Sequence, residues 1–178
     1  GYATATGMAA VFATFAGLLG VGDHIVSGRE IFGSTHTVLT KILPRFGITH
    51  TYVAVADGIE AWERAITPTT RMIYVETPTN PGLEIADLDA LGALAKARGV
   101  LLVVDNCMST PVLQRPLRHG AHLSVHSATK FIDGQGRVMG GVVVGRQDLI
   151  DQIYTFCRST GPALSPFNAW VLSKSLET

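Results

Sequence analysis

At 178 residues the chain is long enough for one ordinary domain whose core needs neither disulfides nor metals. Its 14 basic residues balance 14 acidic ones, which argues against nucleic acid or an acidic membrane surface as partner and leaves a small molecule. Only 16% of residues are charged against 47% hydrophobic, a deficit of polar surface that points to a chain largely covered by other protein.

Ala-rich residues from Gly7 to about Leu19 favour a buried helix. The apolar stretch Met8 to Val21 is broken by Gly17 and Gly20 and falls short of the ~20 residues a bilayer span needs. A turn at Gly20-Val21-Gly22-Asp23 leads into a strand at His24 to Val26. Ser34 to Leu43 is expected to be helical, Thr49 to Val55 a strand, Ile59 to Ile66 a short helix, and Arg71 to Glu76 a buried strand. The breaker loop Thr77-Pro78-Thr79-Asn80-Pro81-Gly82 follows. Leu88, Leu91, Leu94 and Ala95 recur at helical spacing, with Asp87 as N-cap and Gly99 at the left-handed C-terminal cap. Val100 to Val104 is continuously apolar, as in a central strand covered on both faces, and stops at Asp105. Leu123 to His126 and Val138 to Val144 supply two further strands, and Thr160-Gly161-Pro162 marks a turn. Strands alternating with helices predict an α/β fold, a mostly parallel sheet with helices on both faces and ligands at the carboxyl ends of the strands.

Cys107 and Cys157 are too few for a disulfide framework and lack the spacing of a metal or redox motif, so a reducing, cytoplasmic setting without a bound metal is expected. No signal peptide is expected ahead of the first helix. The chain opens at Gly1 and stops at Leu176-Glu177-Thr178 within a helix-like pattern, and is therefore expected to be an internal fragment of a longer protein.

Asn80, Asp105 and Lys130 each fall just past an apolar strand, which would put all three on one edge of the sheet. An Asp ending an apolar strand is costly unless its charge is paired, and a protonated pyridine nitrogen is one such partner. Capping of the next turn is the other reading. Lys130 follows Ser127-Ala128-Thr129; among apolar neighbours its neutral amine becomes available for imine formation, whereas a lone Lys is more commonly solvated surface. The hydroxyls of Ser127 and Thr129 could donate to a phosphate. Thr6-Gly7-Met8-Ala9-Ala10 puts a Gly where backbone must approach an anion at a helix start, although a Gly there can be purely structural. Phe32 could lie flat on a cofactor ring or belong to the core.

With Thr-Gly-Met-Ala-Ala at 6–10, Pro-Thr-Asn-Pro at 78–81, Val-Val-Asp-Asn at 103–106 and His-Ser-Ala-Thr-Lys at 126–130, the whole chain resembles the Cys/Met-metabolism enzymes dependent on pyridoxal 5'-phosphate (PLP). The resemblance implies the large domain of the aspartate aminotransferase-like PLP fold (fold type I) over residues 1–178. It implies that Gly7 and Met8 offer amides to the phosphate with Ser127 and Thr129, that Asn80 meets the ring hydroxyl and Phe32 the ring face, and that Asp105 meets the pyridine nitrogen. Lys130 would carry the cofactor as a Schiff base and then move protons between substrate carbons. Phe-Ile-Asp-Gly-Gln-Gly-Arg at 131–137 and Asp-Asn-Cys at 105–107 look most like the O-succinylhomoserine sulfhydrylase branch, which replaces the succinyl group with sulfide to give homocysteine. Cystathionine γ-synthase and the cystathionine and methionine lyases of the same family are the neighbouring reading, and a non-catalytic nucleotide-binding module or a degenerate scaffold subunit the distant ones. Many relatives have Tyr at the position of Phe32, so proton handling by that hydroxyl is in doubt. The family also implies a homotetramer with shared sites, with the substrate-carboxylate arginine and the arm reaching a neighbour's phosphate lying outside this chain.

Overall fold

A computed structural model describes residues 1–177. Seven strands form one sheet: β1 (Tyr2–Thr4), β2 (His24–Gly28), β3 (Thr49–Val53), β4 (Thr70–Glu76), β5 (Leu101–Asp105), β6 (Leu123–Ser127) and β7 (Gly141–Gly145). They lie in the order β1-β7-β6-β5-β4-β2-β3. Neighbours from β3 through β6 pair in parallel, whereas β7 is antiparallel to both β6 and β1. Only β7 therefore runs against the rest, as a mostly parallel sheet requires.

Side chains alternate across the sheet with period two. Ile25, Met72, Tyr74, Val103, Leu123 and Val125 face one way and pack against α1 (Gly7–Leu18) and α6 (Gln147–Thr160). Val26, Ile73, Val75, Leu102 and Val104 face the other way, against α3 (Ile59–Ala65) and α4 (Leu88–Arg98). Both faces of β4 and β5 are thus buried, which is why these strands read as unbroken apolar runs.

The capping residues behave as local chemistry dictates. Thr6 accepts the Ala9 amide at 3.0 Å to start α1; Asp87 accepts the Ala90 amide at 2.9 Å to start α4, and Gly99 ends it at φ 64°. The helix expected over Ser34 to Leu43 is shorter. α2 (Gly33–Thr37) loosens into a wide turn at Val38–Ile42 and a tight one at Leu43–Phe46. Thr37 and Thr40 turn their hydroxyls back onto the carbonyls of Gly33 and His36, and Pro44 has no amide to donate, so the helix cannot continue undistorted. The last strand begins at Gly141 rather than Val138, because the Thr129 side chain bonds both the amide and the carbonyl of Gly140. Three of the strands and α-helices carry no expectation from the sequence: β1, α5 (Thr110–Leu113) and α6. Leu149, Ile150, Ile153 and Cys157, all buried along one stripe of α6, are the helical signal that was there to be read. The helix-like pattern at the end of the sequence is α7 (Pro166–Ser175), which stops one residue before Leu176; Thr178 lies outside the described residues. Among the described residues no helix is long and apolar enough to cross a membrane, and no cluster of His, Cys, Asp and Glu suits a metal.

Candidate cofactor site

The carboxyl ends of the parallel strands carry the polar residues. β4 ends at Glu76, β5 at Asp105 and β6 at Ser127, and Glu76 and Asp105 are direct partners in the ladder. Period two puts all three side chains on the α1 face, in line with Tyr74, Val103 and Val125. The start of α1 comes down on the same spot. A Cβ on Gly7 would lie 2.5 Å from Ser127 Cβ and 2.9 Å from its Cα, so only glycine lets the helix approach this closely. The amides of Gly7 and Met8 have no acceptor within a helix that begins there and point out of its positive end. With the adjacent Ser127 hydroxyl they form a cradle for a phosphate.

Asp105 is buried, 8% exposed. Tyr74 donates its hydroxyl to Oδ2 at 3.0 Å and Cys107 its amide to Oδ1 at 3.1 Å. Burial outweighs these bonds and holds the carboxyl up to about 6. Glu76, 3% exposed, is held up to about 7 by burial and then by the Asp105 charge beside it. Two buried carboxylates in register, with no Lys or Arg paired to either among the described residues, make a strong demand for a cation. The Cys107 thiol, 3.7 Å from the Ser127 carbonyl, is pushed up to about 11 by burial and by Asp105, opposed by Ser127 and by the charge of Lys130. Cys107 therefore lies within reach of the charges of Asp105, Glu76 and Lys130.

Lys130 sits in the turn Ala128–Ile132 that leaves β6, at a break in its winding (φ −91°, ψ −113°). Its side chain is exposed rather than enclosed by apolar neighbours, since Phe131 beside it is itself 60% exposed. Thr129 donates its hydroxyl to the Gly140 carbonyl at 3.2 Å, so in this arrangement that hydrogen ties the lysine turn to β7. Phe32, 44% exposed, stands at the start of α2, and Thr35 of the same helix donates to Met8 Sδ at 3.8 Å, which draws α2 toward the cradle. Asn80 is exposed in the loop after β4. The sequence reading thus brings Gly7, Met8, Asp105, Ser127, Thr129 and Lys130 to one edge, flanked by Phe32 and Asn80. It missed Tyr74, Glu76 and Cys107. Glu76 had the same signal as Asp105, a carboxylate closing an apolar strand.

The family model for Cys/Met metabolism PLP-dependent enzymes matches residues 1–178. The chain belongs to that family. It is 50% identical over 176 residues to O-succinylhomoserine sulfhydrylase of Pseudomonas aeruginosa, covering 99% of this chain and 43% of the relative. It is 44% identical over 179 residues to cystathionine gamma-lyase of Bacillus subtilis, covering 100% of this chain and 47% of that enzyme. The crystal structure of cystathionine gamma-lyase from Lactobacillus plantarum complexed with L-serine superposes with a TM-score of 0.96 at 39% identity, over 99% of this chain and 46% of that one. The chain thus spans less than half the length of the relatives it matches. The parallel sheet read from the sequence is that of the family's PLP-dependent fold type I lyases, and the chain comes from a PLP-dependent enzyme. The cradle at Gly7 and the cation demand at Asp105 fit a phosphate at one end of the cofactor and a pyridinium at the other.

Proposed function

We propose that the protein containing this chain catalyses PLP-dependent γ-replacement: the Cγ–O bond of O-succinylhomoserine breaks, succinate leaves and sulfide takes its place on Cγ, giving homocysteine for methionine biosynthesis. Residues 1–178 are then the PLP-binding large domain, and the complete enzyme is a cytoplasmic homotetramer that supplies the substrate-carboxylate arginine from outside this chain. The observation that carries the reading is the single edge holding both Asp105 and the turn of Lys130, above the Gly7–Ser127 cradle.

The residues divide the work. Gly7, Met8 and Ser127 would bind the phosphate, with Thr129 placing the Lys130 turn beside it and able to add its hydroxyl by turning from Gly140. Asp105, steadied by Tyr74, would pair with the ring nitrogen and keep it protonated. Phe32 would cover the ring face and Asn80 would meet the ring hydroxyl. When bound, PLP supplies an electron sink that makes loss of a substrate Cα proton feasible. Lys130 would take that proton, hand it on to the cofactor's C4′ and, neutral again, take one from Cβ, the loss that lets a γ-substituent leave. Phe32 has no hydroxyl, so proton movement rests on Lys130.

Similarity to the sulfhydrylases at 50% identity favours replacement. Similarity to cystathionine gamma-lyase at 44% keeps elimination as the second reading, with the same residues in the same roles. Full-length protein supplied with O-succinylhomoserine should release homocysteine only when sulfide is present, and rapid 2-oxobutyrate release from cystathionine would reverse the choice. Borohydride treatment should leave a pyridoxyl group on Lys130. Lys130→Ala should lose that adduct and at least about 10³-fold in activity; a PLP-saturated wild type without the adduct would remove the reading.

A further inference from the structure

Glu76 has no role in the reaction just described, yet it is the most deeply buried carboxylate at the site, 3% exposed. Its contacts are unusual for a strand-end residue. Oε2 accepts the backbone N–H of Phe32 at 2.6 Å, a short charge-assisted bond. One side chain at the end of β4 therefore grips the turn between β2 and α2, a segment far from it in the chain.

The Phe32 turn is anchored away from the site, by buried Ile31 and by His36, whose Nδ1 lies 2.8 Å from the Tyr52 hydroxyl, and has little to hold it on the side of the site. Phe32 is the N-cap residue of a five-residue helix with no side-chain cap, and its ring is 44% exposed. Apart from bonds within α2, the turn's tie to the site is the 3.8 Å contact from Thr35 to Met8 Sδ, a weak one. Resting on the PLP reading, we propose that Glu76 is a positioning residue: its carboxylate fastens Phe32 over the cofactor ring, and loss of its charge loosens the Phe32 turn.

The groups that face Glu76 set when it is charged. Asp105 lies beside it across the ladder, Tyr74 is two residues back on its own strand, and Cys107 stands beyond β5. α1 brings no ionisable side chain. On the β2–α2 connection the ionisable residues are Arg29 and Glu30, with Glu30 engaged with the Val55 amide, and α2 itself carries His36, whose Nδ1 is engaged with the Tyr52 hydroxyl at 2.8 Å. Burial and the Asp105 charge hold Glu76 up to about 7, so the clamp weakens as pH falls through neutrality. A cation received by Asp105 offsets the repulsion and draws Glu76 into its charged form. Filling the site thus tightens the turn that covers it.

The test uses the full-length protein, wild type with Glu76→Gln and Glu76→Ala. Backbone hydrogen exchange of the segment holding Phe32 is followed in cofactor-free protein from pH 6 to 8.5 and corrected for intrinsic exchange. Wild type should gain protection by about tenfold across this range, the value of a bond to a charged acceptor. Glu76→Gln keeps an acceptor of the same shape and should lose the pH step while retaining an intermediate, flat protection; Glu76→Ala should lose both. A pH step in Glu76→Gln equal to that of the wild type overturns the proposal, as does wild-type protection in Glu76→Ala. Should Glu76→Ala fail to fold, the isosteric Gln variant alone decides. A wild type that takes no cofactor on Lys130 defeats the PLP reading instead, and the exchange data still judge the grip on Phe32.

Discussion

The two edges of the sheet are built on opposite principles. At the amino edge every conspicuous polar group has an inexpensive partner. Asp23 accepts the Gly20 amide at 2.8 Å and pairs with Arg71 Nε at 3.2 Å, and His122 Nδ1 accepts the Leu102 amide at 2.9 Å. Gly99 and Gly120 take left-handed turns at φ 64° and 83° to feed β5 and β6. At the carboxyl edge two carboxylates are buried side by side and both are pushed toward neutrality, while a glycine admits a helix start to an empty-handed pair of amides. The amino edge is optimised for folding. The carboxyl edge is left electrostatically unsatisfied, and on the proposed function a ligand with a phosphate at one end and a cation at the other would complete it.

The contrast breaks most visibly at Asp105. Asp105→Asn should lower activity of the full-length enzyme by about 10²–10³-fold, the scale for removing one preorganised electrostatic group. Its effect on stability should run the other way. With its folded value near 6, above the ordinary carboxylate range, Asp105 holds its proton more tightly in the native state, so it withdraws stability as pH rises from about 4 to about 6. Denaturant titrations of cofactor-free protein should therefore find the variant gaining on the wild type across that window and level above it. A difference that does not change with pH would mean Asp105 is not desolvated as described.

Gly7→Ala should come next. Its Cβ meets Ser127 at 2.5 Å, so the helix must retreat, costing about 1–3 kcal/mol and at least about tenfold in PLP affinity by absorbance titration. Gly92→Ala is the matching insult at the amino edge, where a Cβ would fall 2.1 Å from the His119 carbonyl just before β6. It should cost a similar ~1–3 kcal/mol in denaturation yet leave PLP affinity of the folded protein unchanged. Equal losses of affinity from the two glycine variants would erase the distinction between the edges. The smallest effect belongs to Arg71→Ala. The guanidinium side chain is 63% exposed, so breaking its pair with Asp23 should change stability by no more than ~0–1 kcal/mol and activity not at all.

Much of this architecture was legible from local pattern. Asp87 and Gly99 bracket a helix because their side chain and backbone act within one turn. Val100 to Val104 declares a central strand because both its faces must be dry. Asp105 and Lys130 were readable as edge residues because they follow apolar strands. What escaped were features settled by distant partners: β7 reversing direction, the Thr129 hydroxyl tied to Gly140, and Glu76 reaching Phe32 rather than a cation.

By itself, the sequence determined the alternation of strands and helices, the capping residues and the set of polar groups that close the apolar strands, since hydrogen bonding within a turn and side-chain period depend only on near neighbours. Only the tertiary structure decided that Glu76 and Asp105 stand in register and that Ser127 meets Gly7. The energies of those contacts arise between segments far apart in the chain, through burial that no single segment can supply.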